Sequence, residues 1–468
     1  MNEVDALFAS LRQAADPQTV DCIERVVTHG SDRDLNRINV LAFADTHHLD
    51  EEKTIAAFLH AARIGAFDMT WNVLCPGCGG VLDTGATLKT VDQETYQCAL
   101  CAAGYEPTLD EMVEVTFTVS PRVRRISAHE PDRLPPLEYY RQIFFSSGVD
   151  LPEDFEARFA RIQLEMIELA PGEKAFVSLH LPAQFVIIFD PATHAAQFID
   201  VKGEPTDERQ NLSMVISKAH ALNETVPLRP GPLRLMLENH TERRVIPNVC
   251  VAGDELHDLL GRRRAFLTAK RLLSNQSFRD IYRTDTLDVD QRLKITSLTF
   301  LFTDLRGSTA LYERVGDLAA FDLVRAHFRV LHEIVAAEAG AVVKTIGDAV
   351  MATFPSPDRA VAAALRMREA MLQLNAEHGS DDLLLKIGIH EGPCLAVNLN
   401  DRQDYFGQTV NIASRVQGLA DPNVIMTTEA IVRDTHVSEI LRDTGITSVS
   451  RMEELQGIAR EVRIFALS

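Results

Sequence analysis

The sequence predicts a multidomain α+β protein, and three observations carry that prediction. Its 468 residues exceed what one hydrophobic core organises, so roughly two to four domains are expected. Two Cys-x-x-Cys pairs stand close together in the first quarter. Short apolar strand runs fill the middle, and the last third alternates such runs with helical periodicity. The composition, 46% hydrophobic and 24% charged, is that of a packed globular chain.

Residues 1–68 are expected to form a helical segment. Leu7, Leu11, Ile23, Val26, Leu41, Phe58 and Ala62 recur at helix-compatible spacings with few turn residues between them. A zinc ribbon is predicted over 69–111. Cys75-Pro76-Gly77-Cys78 and Cys98-Ala99-Leu100-Cys101 are tight knuckles whose thiolates can point at one ion, and nineteen residues between them suffice for a hairpin. Four thiolates close a tetrahedral Zn²⁺ shell and leave no open position for chemistry, so the expected role is structural; a redox role for one pair is the alternative. Seven cysteines, four of them so spaced, fit a reducing compartment better than a disulfide framework.

Over 112–253 a mainly β, sandwich-like domain is expected. Val113, Val115, Phe117 and Val119 alternate with polar residues, and Phe185–Phe189, Gln197–Val201 and Leu233–Leu237 are apolar runs separated by Pro and Gly. A helical insertion is expected from Leu137 to Arg161. Residues 254–292 read as a helical linker, with Leu259, Phe266 and Leu273 at heptad spacing as a short seam able to pair with its copy. Arg262-Arg263-Arg264 within it reads as a solvated helix face.

The formal net charge of −20 argues against a non-specific nucleic-acid binder, whose footprint is basic. No apolar run approaches the ~18 residues of a membrane helix. The acidic start, Met1-Asn2-Glu3-Val4-Asp5, lacks the pattern of a signal peptide. A cytoplasmic location is therefore expected, with neither membrane nor nucleic acid as partner.

The chemistry is concentrated after residue 293. Leu298–Phe302 is a strand-like run, and Thr303-Asp304-Leu305-Arg306-Gly307-Ser308-Thr309 follows as a turn that opens a helix. Phe321, Val324, Phe328, Leu331 and Val335 give that helix one buried face. After Gly340 come the strand Ala341–Ile346, the turn Gly347-Asp348 and the strand Val350–Phe354. This order brings Asp304 and Asp348 to loops that can meet at one sheet end. Two carboxylates beside helix-start amides suit a paired Mg²⁺ site for a triphosphate.

The stretch from about 295 to 468 resembles the catalytic domain of class III adenylate and guanylate cyclases. The matching motifs are Phe302–Thr309, Lys344–Ala352, Gly388–Pro393 and Asp404–Arg415. The resemblance implies a ferredoxin-like α/β domain over 293–468 that works as a head-to-tail homodimer. It implies two Mg²⁺ or Mn²⁺ ions per site on Asp304 and Asp348, with Leu305 beside them. It implies a purine-selecting pair, Lys344 and Asp404, and it implies Asn411 and Arg415 acting on the ribose and the transition state. Adenine presents N1 as acceptor and its 6-amino group as donor, which Lys344 and Asp404 complement; guanine reverses both. ATP is thus the expected substrate and cyclic AMP the product. The alternatives are a guanylate or other nucleotide cyclase, and a weakly active cyclase-like nucleotide sensor. One departure stands out: where the family places a basic residue for the triphosphate, this chain reads Leu455-Gln456-Gly457-Ile458-Ala459-Arg460, and Arg460 is the candidate substitute. His390 is expected to be a strand residue rather than a base.

The cysteine knuckles with the Val113–Phe117 strand are similar to an uncharacterised N-terminal region that precedes cyclase domains in some bacterial proteins. That similarity brings no known activity with it; the region is read as sensory or regulatory, responding to an unknown ligand or protein, with a dimerisation scaffold as the alternative.

Overall fold

The computed structural model describes residues 3–468 except 92–93, 218–224, 283–291, 307–312, 315, 379–382 and 400–401. Part of the expected Phe302–Thr309 motif and the end of the expected linker therefore lie outside the described residues. The chain divides into two compact units. The first runs to Leu267; the second comprises Thr268–Ser468 together with Thr87–Lys89 and Thr108–Asp110.

The first unit opens with helices α1 (Glu3–Ala14), α2 (Pro17–His29), α3 (Val40–Thr46) and α4 (Glu51–Arg63). Their starts are written locally. Asp16 accepts from Thr19 N ahead of Pro17, Asn39 from Leu41 N and Ala42 N, and Asp50 from Lys53 N. Phe58 of α4 is fully buried against Phe43, Phe67 and Phe117, with ring centroids 5.2–5.3 Å apart. Burial of such a ring contributes about 1.5–3 kcal/mol.

Strands β1 (Phe67–Leu74), β2 (Val81–Gly85), β3 (Tyr96–Cys98), β4 (Ala103–Tyr105) and β5 (Val113–Val119) follow. The sheet order is β2-β1-β5, with β3 and β4 as a separate hairpin. The alternating strand at 113–119 thus pairs with β1, the strand that leads into the first knuckle, rather than joining the later β region. The helical insertion is α5 (Pro136–Tyr139), a π-turn at Tyr140–Phe144, and α6 (Phe155–Ile162).

Strands β6 (Gln163–Met166), β7 (Lys174–Leu181), β8 (Phe185–Phe189), β9 (Ala196–Val201), β10 (Gln210–Ile216), β11 (Val226–Leu228), β12 (Gly231–Asn239) and β13 (Asn248–Val251) form two sheets, ordered β10-β12-β7 and β11-β9-β8-β13-β6. Val177 and Leu235 from one share a core with Ile188, Ile199 and Val249 from the other, which is sandwich packing.

The segment expected as one helical linker is broken. α7 (Asp254–Gly261) sends Leu259 into the first unit's core, alongside Phe144 and Phe155. α8 (Ala269–Leu273) and α9 (Gln276–Ile281) belong to the second unit, where Leu273 is buried. Leu259, Phe266 and Leu273 therefore do not form a seam on one helix. Heptad spacing carries no information on chain breaks, and the Arg262–Thr268 stretch between α7 and α8 is not helical.

The second unit is built on one sheet. Its strands are β14 (Leu293–Leu305), β15 (Ala341–Ile346), β16 (Ala349–Phe354), β17 (Leu385–Leu399), β18 (Arg402–Phe406), β19 (Ile425–Thr428), β20 (Ser448–Glu453) and β21 (Val462–Leu467). The order is β15-β16-β14-β17-β19-β21-β20, with β18 on β17. With α10 (Asp317–Ala337) between β14 and β15 and α11 (Pro357–His378) between β16 and β17, the first four strands are a ferredoxin-like βαββαβ unit. Leu331 and Val335 of α10 and Met367 and Met371 of α11 pack with Leu301, Ala352 and Ile387 of the sheet. Phe321, expected on the buried face of α10, is 56% exposed near the helix start. Among the described residues no helix is long and apolar enough to cross a membrane.

Candidate active site and cysteine cluster

Asp304 is the penultimate residue of β14, and Asp348 sits in the two-residue turn joining β15 to β16. Gly347 takes φ +66° in that turn, a conformation an L side chain resists. The β14–β16 register sets Thr303 opposite Val350, whose amide donates to Thr303 Oγ1 (3.2 Å), and so draws the Gly347-Asp348 turn to the end of β14. Burial and the neighbouring Asp348 charge raise the pKa of Asp304. Oδ2 of Asp348 is buried without a hydrogen-bond partner among the described residues. Two adjacent carboxylates, one with an unsatisfied oxygen, are a donor set suited to a hard divalent cation. Leu305 is buried at the end of the same strand.

Lys344 on β15 and Asp404 on β18 meet in the same chain. Lys344 Nζ donates to Asp404 Oδ2 at 2.6 Å; the lysine is 42% exposed and the aspartate 9%. The second Asp404 oxygen accepts from Tyr405 N (2.9 Å), which fixes the carboxylate plane.

Asn411 and Arg415 lie one turn apart on α12 (Gln408–Gly418), both exposed, while Ile412 and Val416 face inward. Gly388 on β17 allows this helix to lie so close: a Cβ there would stand 2.2 Å from Gln417 N. Arg460 is exposed in the loop before β21. It lines a cavity of about 480 Å³ with His390 and Thr428. His390 donates to or accepts from Thr428 Oγ1 (2.7 Å), and burial, helped by Arg460, lowers its pKa to about 4, so the ring is neutral. Among the described residues no hydrogen bond or ion pair links Asp304 or Asp348 to Asn411, Arg415 or Arg460.

Two residues near this machinery carried no recognisable sequence signal. Arg279 of α9 donates from Nη2 to the carbonyls of Val343 (3.3 Å) and Gln403 (3.0 Å), the residues just before Lys344 and Asp404. Gln276 supports it by accepting from Val342 N (2.8 Å). His327 of α10 is fully buried within the field of Asp348, and burial takes its pKa down to about 4. Both contacts depend on tertiary packing, and a lone Arg or His on a helix looks the same without it.

In the first unit, Cys75, Cys78, Cys98 and Cys101 converge, all four sulfurs within 4.8 Å of one another. Cys75 and Cys101 Sγ are 3.6 Å apart, Cys78 and Cys98 Sγ 3.7 Å. Tetrahedral coordination with Zn–S near 2.3 Å sets sulfurs about 3.8 Å apart, so the cluster fits zinc. The Arg262–Arg264 run is exposed, as expected, but it lies outside any helix and two of its members are also engaged. Arg263 donates to the Gly77 carbonyl (2.9 Å) in the first knuckle, and Arg264 Nε to the Ser147 carbonyl (2.8 Å).

Comparison with known proteins agrees with this geometry. Residues 291–461 match the adenylate and guanylate cyclase catalytic domain, which makes the C-terminal unit a class III nucleotide cyclase domain. Residues 1–280, more than half of the chain, match a family of unknown function (DUF5939), and the chain belongs to that family. An adenylate cyclase of Anabaena cylindrica is 31% identical over 158 residues, covering 30% of this chain and 31% of that protein. A putative adenylate cyclase 3 of Rhizobium meliloti is 30% identical over 171 residues, 36% of this chain and 27% of that protein. The chain thus spans less than half the length of these and the other curated relatives it matches. Among solved structures, an adenylyl cyclase from P. aeruginosa is 24% identical, with 38% of this chain and 96% of that chain covered and a TM-score of 0.34.

Proposed function

We propose that the second unit converts ATP to cyclic AMP and pyrophosphate as a homodimer. The observation that carries this reading is the Lys344–Asp404 pair at 2.6 Å. N1 and the 6-amino group of adenine are adjacent on the ring, so a cation donor and a carboxylate acceptor held side by side match them together. Guanine would set a donor against the lysine and an acceptor against the aspartate, costing on the order of 1–3 kcal/mol per mismatched contact.

Asp304 and Asp348, with the Leu305 carbonyl, would hold two Mg²⁺ or Mn²⁺ ions. When bound, these supply Lewis acidity to the ribose 3′-hydroxyl and the triphosphate. Asn411 orients the ribose, so that the 3′-oxygen, its proton passing to solvent water, bonds to the α-phosphorus as the bond from that phosphorus to the bridging oxygen breaks and pyrophosphate leaves. Arg415 stabilises the charge that develops on the α-phosphoryl oxygens. Arg460 takes the part of the missing triphosphate cation.

A second copy supplies what one chain leaves apart, with the aspartates from one subunit and Lys344, Asp404, Asn411 and Arg415 from the other. Ile346, Leu399 and Phe406 flank these residues and are 54%, 44% and 55% exposed, as apolar side chains awaiting a partner surface are. The first unit, carrying one structural Zn²⁺, regulates the cyclase in the cytoplasm. The test is turnover of each nucleotide by purified protein with Mn²⁺. ATP should be preferred; faster turnover of GTP would sink the adenine argument.

A further inference from the structure

The first unit contains a cavity of about 690 Å³ bordered by α2, the Asn36–Asn39 stretch, α3 and residues 141–151. This is within the ~300–1,000 Å³ of small-molecule sites. Its wall is strongly basic in a chain that is acidic overall. Arg25, Arg33, Arg37, Arg141 and Arg264 line it, against two aspartates, Asp34 and Asp150.

Several of these cations lack anionic partners. Arg33 is paired with Glu138, and Arg264 donates to a carbonyl. Arg37 donates to the carbonyl of Ile143 and at 3.4 Å to Thr84 Oγ1. The carboxylate whose field reaches it, Glu114, instead accepts from Asn72 (3.0 Å) and Ser147 (2.5 Å). Burial of the Arg37 guanidinium disfavours its charged form. Its backbone is held at φ +45°, with its amide bonded to Thr118 Oγ1 (3.0 Å). A left-handed non-glycine residue costs about 1–2 kcal/mol and is often retained for function. Arg141 lies over the Phe155 ring at 4.9 Å, and its Nε is buried without a hydrogen-bond partner among the described residues. Arg25 makes no ion pair among the described residues. Asp34 is occupied by Ser31 N and Oγ, both at 2.8 Å. Apolar side chains, Phe43 and Phe145 among them, complete the wall.

Desolvated guanidinium groups without carboxylates, as at Arg37 and Arg141, are unfavourable, and an anion that accepts their hydrogen bonds offsets that cost; Arg25 adds an exposed cation at the same wall. We propose that this cavity binds a small organic anion of at least two negative charges. Its phosphate or carboxylate groups rest on Arg25, Arg37 and Arg141, and its carbon skeleton lies against Phe43 and Phe145. The site is independent of the cyclase reaction proposed for the other unit.

The test is calorimetric titration of the full zinc-loaded chain, in low salt with no added Mg²⁺ or Mn²⁺, with pyrophosphate, fructose 1,6-bisphosphate and citrate. The first two report phosphate recognition and the third carboxylate recognition. At least one should bind one-to-one, and Arg25→Gln or Arg141→Gln should weaken it by about fivefold or more. Arg415→Gln, in the other unit, should leave it unchanged. The proposal is overturned if none of the three binds, if both cavity variants cost less than that, or if Arg415→Gln abolishes the binding. Arg25 is exposed on α2, so its variant keeps the test valid should Arg141→Gln not fold.

Discussion

The two groups of side chains proposed to hold metals in this chain differ in how completely they satisfy themselves. The four cysteines of the first unit converge with sulfurs at tetrahedral separations and belong to a buried cluster with Leu82 and Leu260 around it. The two aspartates of the second unit leave Asp348 Oδ2 without a partner among the described residues and repel one another. Structural metal sites fill their coordination shell with protein atoms, whereas catalytic ones keep positions for substrate and water. The contrast between the units is of that kind: closed ligand geometry in one, unsatisfied charge in the other.

The largest effect should come from breaking the closed site. Cys98→Ser removes one of four ligands, and since structural zinc contributes on the order of 10 kcal/mol or more to folding, the first unit should lose both its metal and its cooperative melt. Elemental analysis and calorimetry check this; a variant with normal zinc content would remove the structural role.

Breaking the open site should do the reverse, leaving the fold intact while activity falls. Asp304→Asn should reduce turnover by roughly 10²–10³-fold or more. The raised pKa of Asp304 means its charged form is disfavoured in the metal-free fold, so Asp304 contributes more to stability at low pH, and that contribution is lost as pH rises through its folded pKa. Two results follow. Metal-free Asp304→Asn should melt above the parent at neutral pH, and the Mn²⁺ concentration needed by the parent should rise as pH falls, because protons compete for the same oxygens. Equal melting without added Mg²⁺ or Mn²⁺ would show that the carboxylates do not repel.

Lys344→Glu should cut the ATP-over-GTP preference by about 10–100-fold, the equivalent of one or two mismatched polar contacts, and should lower the melt as well, because a carboxylate at 344 faces that of Asp404. Competition assays with both nucleotides measure it. The smallest effect is expected from Arg279→Ala. It frees the backbone of Val343 and Gln403, so it should raise KM for ATP a few-fold and lower the ATP-over-GTP ratio while kcat changes less; rescue by Arg279→Lys would mark the carbonyl contacts as the cause.

The sequence by itself determined the element types and the chemistry of short motifs. Cys-x-x-Cys knuckles, the Gly347-Asp348 turn and the 3.6-residue period of α10 act over a few residues, so their signals survive without the fold. The pairing of strand 113–119 with β1 and the breaking of the 254–281 stretch into three helices were decided by tertiary structure, because period and spacing do not say which partner a strand or helix will find. The same holds at the site. That Lys344 lies 2.6 Å from Asp404, sixty residues on, and that Arg279 holds both of their strands, depends on how β15, β18 and α9 pack. So does the basic cavity of the first unit, whose arginines come from four separated stretches of sequence and become one charged wall only when the chain is folded.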